Sequence, residues 1–264
     1  MQTHLVSGVT IPLVTALDER GQPDPPAVRP LLAHLAAGGI TTLMLAGSNG
    51  EGPLLDTDAV RAYAAEVSTL WRELVGPPAR VLVAATGPGT RETLQRVERL
   101  AGVDLDALVV LAPFYFKHTE RELLAHFHAV AAHGRPVVVY NSPAYTGNPL
   151  TVNLVRRLLD EPNIVGLKDS SGDVAGFCAL TQERPDFQVA QGVEWRMADA
   201  LRVGATGVVP GVGMVAPALC VDLVRLGHKG DHAAAADRQR DVDRLQALFG
   251  VRPGASGVNR CVRT

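Results

Sequence analysis

A lysine ends an apolar segment in the sequence IVGLKDSSGD, residues 164–173. The chain contains three lysines, Lys117, Lys168 and Lys229, beside 22 arginines, so positions that need only a positive charge are occupied almost entirely by arginine. Arginine stays protonated and is a poor nucleophile, whereas a lysine amine among apolar groups can lose its proton and attack a carbonyl carbon. Lys168 is therefore a candidate for imine chemistry.

A GSNGE segment follows the apolar residues TTLMLA. Gly47, Ser48 and Asn49 of this segment could offer backbone amides and side chains to a carboxylate, as nests of amides that lead into a helix do. A polar turn that only opens a helix has the same composition, so both interpretations stay open.

Three of the four tyrosines follow other apolar segments. Tyr115 lies in PFYF, and Tyr140 and Tyr145 lie in YNSPAYTG. Each could be an amphipathic core residue, but a phenol can also carry protons to and from a carbinolamine. Lys168 as the amine, Tyr140 as the proton shuttle and the GSNGE segment as the carboxylate site together supply what a Schiff-base mechanism requires.

The elements that must position these residues alternate along the chain. Eight short, β-rich apolar segments are separated by amphipathic ones; they cover residues 8–17, 41–48, 80–87, 107–113, 136–143, 164–171, 187–194 and 206–213. Strands that are apolar at nearly every position need cover on both faces, so the pattern predicts a parallel (β/α)8 TIM barrel, with a doubly wound open sheet as the alternative. In such a barrel the polar residues above gather at the C-terminal ends of the strands.

Two further amphipathic segments follow the eighth predicted strand, at 217–229 and 231–250. The first can close the barrel, whereas roughly 35 residues after it are too few for an independent core. We therefore expect a catalytic barrel over residues 1–228 and a C-terminal helical extension over residues 229–264.

Composition excludes several classes of protein. A net charge of -2 and a pI near 6.4 give no electrostatic reason to expect nucleic acid or an anionic membrane as partner. No segment approaches the roughly 18 to 20 apolar residues of a membrane span, and the first residues do not resemble a secretory signal. Cys178, Cys220 and Cys261 lack metal-ligand spacing, which indicates reduced thiols in a cytoplasmic protein.

Four histidines, His118, His126, His128 and His133, surround one predicted helix. The alternation of the barrel puts that helix on the outside, so we interpret them as surface residues and predict no metal site.

The motifs GSNGE, PFYF, YNSPAYTG and GLKDSSGD resemble, in order and spacing over residues 5–250, those of the pyruvate-dependent class I aldolases, which include dihydrodipicolinate synthase and N-acetylneuraminate lyase. The resemblance implies that Lys168 forms an imine with a 2-oxo acid, that Tyr140 is the general acid/base, and that Ser48 and Tyr115 extend a proton relay. It implies no metal or organic cofactor. It also implies a homo-oligomer, a dimer or tetramer, with Tyr115 near the subunit interface.

The loop after Tyr140 separates branches of this family. Dihydrodipicolinate synthases resemble one another in an arginine that binds a substrate carboxylate where this chain has Tyr145, and a phenol cannot replace that bidentate contact. GSNGEGPLL, VGLKDSSGDV and DFQVAQG are most similar to the 4-hydroxy-2-oxoglutarate aldolase branch. Aldolases and dehydratases of 2-keto-3-deoxy sugar acids are near neighbours, and dihydrodipicolinate synthase is disfavoured but stays open.

Substrate-binding candidates follow from the same resemblance. Glu194 falls where neuraminate lyases place an acidic residue against substrate hydroxyls, so a polyhydroxylated substrate stays open. The sequence does not show whether Arg196 binds a distal carboxylate. The complete set of expected substrate-binding residues is Gly47, Ser48, Asn49, Tyr145, Ser170, Glu194 and Val209.

An alternative of another class is a 2-oxo acid binding protein without efficient turnover. Family members continue further than the final GVRPGASGVNRCVRT, so we expect a shortened C-terminal extension, which puts a tetramer in doubt and motivates this alternative. The intact pair of Lys168 and Tyr140 favours an enzyme, because a pure binding protein has no need of both.

Overall fold

The barrel predicted from the sequence is present. The computed structural model describes residues 5–248, in which eight parallel strands form a closed barrel, each paired with the next and the last with the first. The strands are β1 Gly8–Pro12, β2 Thr42–Leu45, β3 Arg80–Ala84, β4 Ala107–Leu111, β5 Val137–Asn141, β6 Ile164–Asp169, β7 Gln188–Gln191 and β8 Gly207–Val208. Each strand lies inside one of the eight predicted segments, so the (β/α)8 prediction is confirmed and the open sheet is excluded.

Helices cover the outside of the barrel. Those in the described residues are α1 Arg29–Ala37, α2 Thr57–Val75, α3 Thr90–Arg99, α4 Glu120–Ala131, α5 Pro143–Thr146, α6 Val152–Leu158, α7 Val174–Cys178, α8 Leu180–Glu183, α9 Met197–Arg202, α10 Pro217–His228 and α11 His232–Leu248. Side-chain caps set the starts of α2 and α4. Asp56 accepts hydrogen bonds from the first turn of α2, and Thr119 forms a capping box with Glu122 in α4. None of these helices combines the length and apolarity needed to cross a bilayer.

The strands separate two apolar cores. Side chains that alternate along each strand point either into the barrel or out to the helices. In β3, Leu82 and Ala84 belong to the interior cluster, whereas Val81 and Val83 belong to the outer one. The interior cluster also contains Met44, Val109, Leu111, Val138, Tyr140, Ala190 and Val209. The interior at the C-terminal ends of the strands is therefore where functional side chains can project.

The predicted C-terminal helical extension is present as helix α11, which begins at His232. Helix α11 packs against α9 and α10, and buries Ala235 and Val242. Residues 249–264, on which the prediction of a shortened C-terminus depends, lie outside the described residues.

The surface interpretation of the histidines is wrong for His126, which is buried in α4. Its ring Nε2 lies 3.1 Å from the carbonyl oxygen of Leu111 and its Nδ1 3.0 Å from the Thr90 hydroxyl. Because a carbonyl only accepts, Nε2 carries the proton and Nδ1 accepts from Thr90. Burial lowers the pKa of His126 to about 4, so the ring is neutral. Within residues 5–248 no group of three potential ligands could hold a metal.

Candidate active site

Lys168 and Tyr140 face each other inside the barrel. They are paired in register on β6 and β5, and only 4% of Lys168 and 3% of Tyr140 is exposed. The Lys168 Nζ lies 3.9 Å from the centroid of the Tyr140 ring, where the ring quadrupole attracts a cation. The amine and the phenol predicted from the sequence are therefore brought together in a site nearly closed to water.

The Tyr140 phenol is surrounded by charge and hydroxyl groups. Burial raises the pKa of Tyr140, but the positive charge of Lys168 and hydrogen bonds from Ser142, Ser170 and Ser48 outweigh it, so the pKa lies below its ordinary value. A phenol in this state gives up its proton more readily, which suits a general acid/base near neutral pH. Ser48 and Ser170 were predicted site residues, whereas Ser142 was not.

The two strand ends are locked together by Asn141 and Asp169, which are also paired in register. The Asn141 amide donates to the buried Asp169 carboxylate at 2.7 Å, and Ser171 donates to it from its hydroxyl at 2.8 Å. Burial raises the pKa of Asp169 above its ordinary value, although these hydrogen bonds oppose the shift. Because side chains alternate along a strand, this lock on the outer side fixes Tyr140 and Lys168 on the inner side.

The GSNGEG loop after β2 is compact because its glycines leave no room for side chains. A Cβ at Gly52 would lie 1.8 Å from the carbonyl oxygen of Ala46, and one at Gly50 would lie 2.8 Å from that of Leu13. The Gly52 amide donates to the Gly47 carbonyl at 3.1 Å. This close turn brings Ser48 to the Tyr140 phenol, with Asn49 next to it in the same loop.

Gly192, directly after β7, is a site residue that sequence reasoning missed. A Cβ there would lie 2.2 Å from the Ser170 hydroxyl oxygen and 3.1 Å from Cε of Lys168. The Gly192 amide donates to the carbonyl of Asp169 at 2.7 Å. A glycine is therefore required for Ser170 and the lysine to keep their places.

Glu194 lies two residues further along, in a 3₁₀ turn formed by Glu194–Arg196. Its carboxylate accepts from the backbone amide of Val212 at 2.8 Å. Burial raises the pKa of Glu194 above its ordinary value, although hydrogen bonds from Val212 and Gly211 and the charge of Lys168 oppose the shift. Glu194 thus lies within electrostatic reach of the predicted nucleophile. Val209, also predicted, is buried in the interior cluster.

Thr86 adds a hydroxyl at the end of β3 that the sequence did not single out. Ala84 belongs to the interior cluster and Ala85 to the outer one, so the alternation directs Thr86 inward. The Thr86 hydroxyl is buried and has no hydrogen-bond partner among the residues that the structure describes. An unpaired hydroxyl at this end of the barrel can bind an oxygen of a ligand.

The other two predicted tyrosines are exposed in the single chain. Tyr115 is 85% exposed and Tyr145 is 54% exposed. Tyr115 has a left-handed φ of 81°, and Asn148 fixes the backbone around it by donating to the carbonyls of Pro113 and Phe116 at 2.9 and 2.8 Å. The hydroxyls at Tyr140 come from serines, so one chain alone does not bring Tyr115 to the phenol.

Arg196, whose role the sequence left open, donates through Nη1 to the carbonyl of Gly172 at 2.6 Å. This contact ties the turn after β7 to the loop after β6. In this arrangement the guanidinium is already engaged by a backbone oxygen.

Comparisons with known proteins identify the family to which the chain is similar. Residues 5–264 match the model of the dihydrodipicolinate synthetase family. The chain is 33% identical to a 4-hydroxy-tetrahydrodipicolinate synthase of Corynebacterium aurimucosum over 236 residues, covering 87% of this chain and 74% of that one. It is 32% identical to the putative 2-dehydro-3-deoxy-D-gluconate aldolase YagE of Escherichia coli K12 over 254 residues, covering 94% and 83%.

A solved structure of a relative has the same fold. The crystal structure of E. coli YagE in complex with pyruvate superposes with a TM-score of 0.88 at 28% identity, covering 97% of this chain and 87% of that one. Together with the family match over nearly the whole sequence, this shows that the chain is a lyase of the pyruvate-dependent aldolase superfamily, and that it belongs to the dihydrodipicolinate synthetase family.

Proposed function

We propose that the protein cleaves 4-hydroxy-2-oxo acids to pyruvate and an aldehyde through a Schiff base on Lys168. The observation that carries this proposal is the buried pair in which the Lys168 Nζ lies 3.9 Å from the ring of Tyr140. Imine formation needs an amine nucleophile with a proton carrier beside it, and this pair supplies both. The YagE relative was crystallised with pyruvate, which is the expected product.

In the first step the neutral Lys168 amine attacks C2 of the substrate and forms a carbinolamine. Tyr140 moves protons between the nitrogen and the departing hydroxyl, and water leaves to give the iminium. The lowered pKa of Tyr140, to which Lys168 and three serines contribute against the effect of burial, supports this exchange. The loop of Gly47, Ser48 and Asn49 provides the donors for the C1 carboxylate.

In the second step the C4 hydroxyl gives its proton to the Tyr140 phenolate. The electrons of the C3–C4 bond move into the iminium, which releases the aldehyde and leaves an enamine on Lys168. Protonation of the enamine at C3 and hydrolysis of the imine then yield pyruvate and regenerate the free lysine. Ser170 keeps its hydrogen bond to the phenol throughout because Gly192 leaves space for it.

The part of the substrate beyond C4 is selected by Glu194, for which we propose a role in binding hydroxyls. A carboxyl group accepts hydrogen bonds from hydroxyls, whereas in its ionised form it repels a second carboxylate. This favours a 2-keto-3-deoxy sugar acid and agrees with the aldolase name of the YagE relative. Val209 and Tyr145 are proposed as further contacts of the substrate chain.

4-Hydroxy-2-oxoglutarate, the substrate expected from the sequence motifs, is the second candidate, and it shares the 4-hydroxy-2-oxo acid group on which Lys168 acts. Dihydrodipicolinate synthase activity is disfavoured, because Tyr145 cannot pair with a carboxylate as an arginine does.

The function is tested by measuring pyruvate release from 2-keto-3-deoxygluconate and from 4-hydroxy-2-oxoglutarate in a coupled assay. Condensation with aspartate semialdehyde is measured separately as pyruvate consumption. We expect the highest kcat/KM for 2-keto-3-deoxygluconate. Faster condensation with aspartate semialdehyde would overturn the substrate assignment. Tight 2-oxo acid binding without turnover of any compound would establish the binding-protein alternative.

We also propose a homo-oligomer, a dimer or tetramer, with Tyr115 near the interface and in a proton relay with Ser48. Tyr115 and Phe116 form an exposed edge-to-face pair with ring centroids 4.8 Å apart, and exposed rigid aromatics are typical of interfaces. Analytical ultracentrifugation should show an oligomer that Tyr115→Asp weakens. A monomeric wild type at assay concentrations would contradict this.

A cytoplasmic location is proposed because Cys178 and Cys220 are buried free thiols, which suits a reducing compartment. Cell fractionation of the tagged protein tests it, and recovery outside the cytoplasm would contradict it.

A further inference from the structure

We propose that Gln239, on the C-terminal helix α11, is a positioning residue that sets substrate selectivity by holding Glu194 in place. The inference rests on the proposed function, in which Glu194 binds hydroxyls of the substrate. It connects the helical extension to the active site, although α11 contributes no residue to the cluster around Lys168.

The Gln239 side chain is buried, and its amide forms three hydrogen bonds. Its Nε2 donates to the backbone carbonyl of Glu194 at 2.8 Å and to the Asp243 carboxylate at 2.9 Å, and its Oε1 accepts from the amide of Ala198 at 3.0 Å. Turning the amide over would place oxygen against the Glu194 carbonyl and NH₂ against the Ala198 N–H, so only one orientation satisfies these partners. Gln239 therefore connects the first residue of the turn, Glu194, to the start of α9, which follows the turn.

Hydrogen bonds hold the rest of the turn, among them the one that Arg196 donates to the carbonyl of Gly172. Glu194 is partly buried, whereas its neighbour Trp195 is 64% exposed. Apolar packing thus does not fix the turn, whereas hydrogen bonds do. The Glu194 carboxylate is held by the amide of Val212 and its main chain by Gln239, so the side chain is fixed at both ends. Loss of the Gln239 amide frees the backbone end.

The expected effect is confined to substrates that use Glu194. Loss of the Gln239 amide leaves the Glu194 carbonyl without this donor and its side chain less well placed, so we expect KM for a hydroxylated substrate to rise about tenfold. The rate of imine formation with pyruvate, which has no hydroxyl for Glu194 to bind, should be unchanged.

The experiment compares Gln239→Met, which keeps the length of the side chain and removes its polar atoms, with Gln246→Met, the same substitution two turns further along α11. For each variant, KM and kcat are measured with 2-keto-3-deoxygluconate, and the rate at which borohydride traps pyruvate on Lys168 is measured separately. We expect a KM raised about tenfold in Gln239→Met alone, with the trapping rate within twofold of wild type in both variants. If Gln239→Met does not fold, Gln239→Glu, which retains the acceptor for Ala198, takes its place with the same expected result.

A double-mutant cycle with Glu194→Ala separates positioning from general stability. The effect of Gln239→Met on KM should disappear when Glu194 is already absent. An unchanged KM in Gln239→Met, an equal loss of pyruvate trapping, or an undiminished effect in the Glu194→Ala background would each overturn the inference. Failure of the wild type itself to trap pyruvate on Lys168 would instead refute the proposed function.

Discussion

Replacement of Tyr140 by phenylalanine isolates the proton carrier of the proposed mechanism. The ring stays, and with it the buried surface in the interior cluster and the face on which the Lys168 Nζ lies at 3.9 Å. The phenol oxygen is lost, together with its hydrogen bonds to Ser48, Ser142 and Ser170. The substitution therefore removes proton transfer and leaves the nucleophile in place.

The size of the expected loss in kcat depends on how many steps of the reaction use the Tyr140 hydroxyl. A positioned general acid/base contributes roughly 10²- to 10⁴-fold in rate, or about 3 to 5 kcal/mol. Carbinolamine formation, dehydration and C3–C4 cleavage all pass a proton through Tyr140. The three serine hydroxyls remain and can hold a water at the vacated position, which keeps the loss inside this range. We expect kcat to fall by about 10³-fold.

The matched control is Tyr63→Phe. Tyr63 is also buried, and its hydroxyl donates to the carbonyl of Val14 at 3.2 Å, far from β5 and β6 along the barrel. Each substitution removes a hydroxyl and should lower the free energy of unfolding by about 1 kcal/mol, measured by urea denaturation. Only Tyr140→Phe should lose turnover in the pyruvate-release assay, and it should still label Lys168 slowly under borohydride. Near-normal kcat in folded Tyr140→Phe would refute the role of Tyr140 as proton shuttle.

Three further predictions concern residues around the site. Gly192→Ala places a methyl group 2.2 Å from the Ser170 hydroxyl oxygen, so we expect kcat to fall at least tenfold in steady-state assays; unchanged kinetics would contradict the close packing. Thr86→Val should raise KM several-fold because it removes a hydroxyl that points into the barrel. Thr10→Val removes another buried hydroxyl, near the opposite end of the barrel, and should leave KM unchanged. Equal effects of the two substitutions on KM would exclude a contact between Thr86 and the ligand. Burial holds the pKa of His126 near 4, whereas the same histidine in the unfolded chain binds a proton once the pH falls below about 6.5. The free energy of unfolding should therefore fall by about 3 kcal/mol between that pH and pH 4. Urea denaturation of His126→Gln should show a free energy of unfolding that lacks this decrease. The same pH dependence of unfolding in wild type and variant would contradict a buried, neutral His126.

Much of the site could be predicted from the sequence because the residues that carry the chemistry sit in short motifs at strand ends. Once eight alternating units indicate a barrel, Lys168 and Tyr140 must meet at its C-terminal face, and the register of β5 with β6 pairs them. The two-residue period of a strand could also have identified Ser142, which directly follows β5 and lies two residues from Tyr140.

Other features depend on three-dimensional distances that no local pattern contains. The need for glycine at position 192 arises from Ser170, which directly follows another strand, β6. Gln239 reaches Glu194 across 45 residues of sequence. The sequence interpretation placed His126 on the surface because its helix lies outside the barrel. His126 nevertheless lies on the inner face of that helix, three and four residues from the buried Leu123 and Val130.

The measurement that tests the central claim most directly is reduction with borohydride in the presence of pyruvate, followed by peptide mapping. The buried amine beside Tyr140 predicts one pyruvate-derived adduct per chain, on Lys168, and none in Lys168→Ala. An adduct on Lys117 or Lys229, or no adduct in protein shown to be folded, would contradict the Schiff-base account.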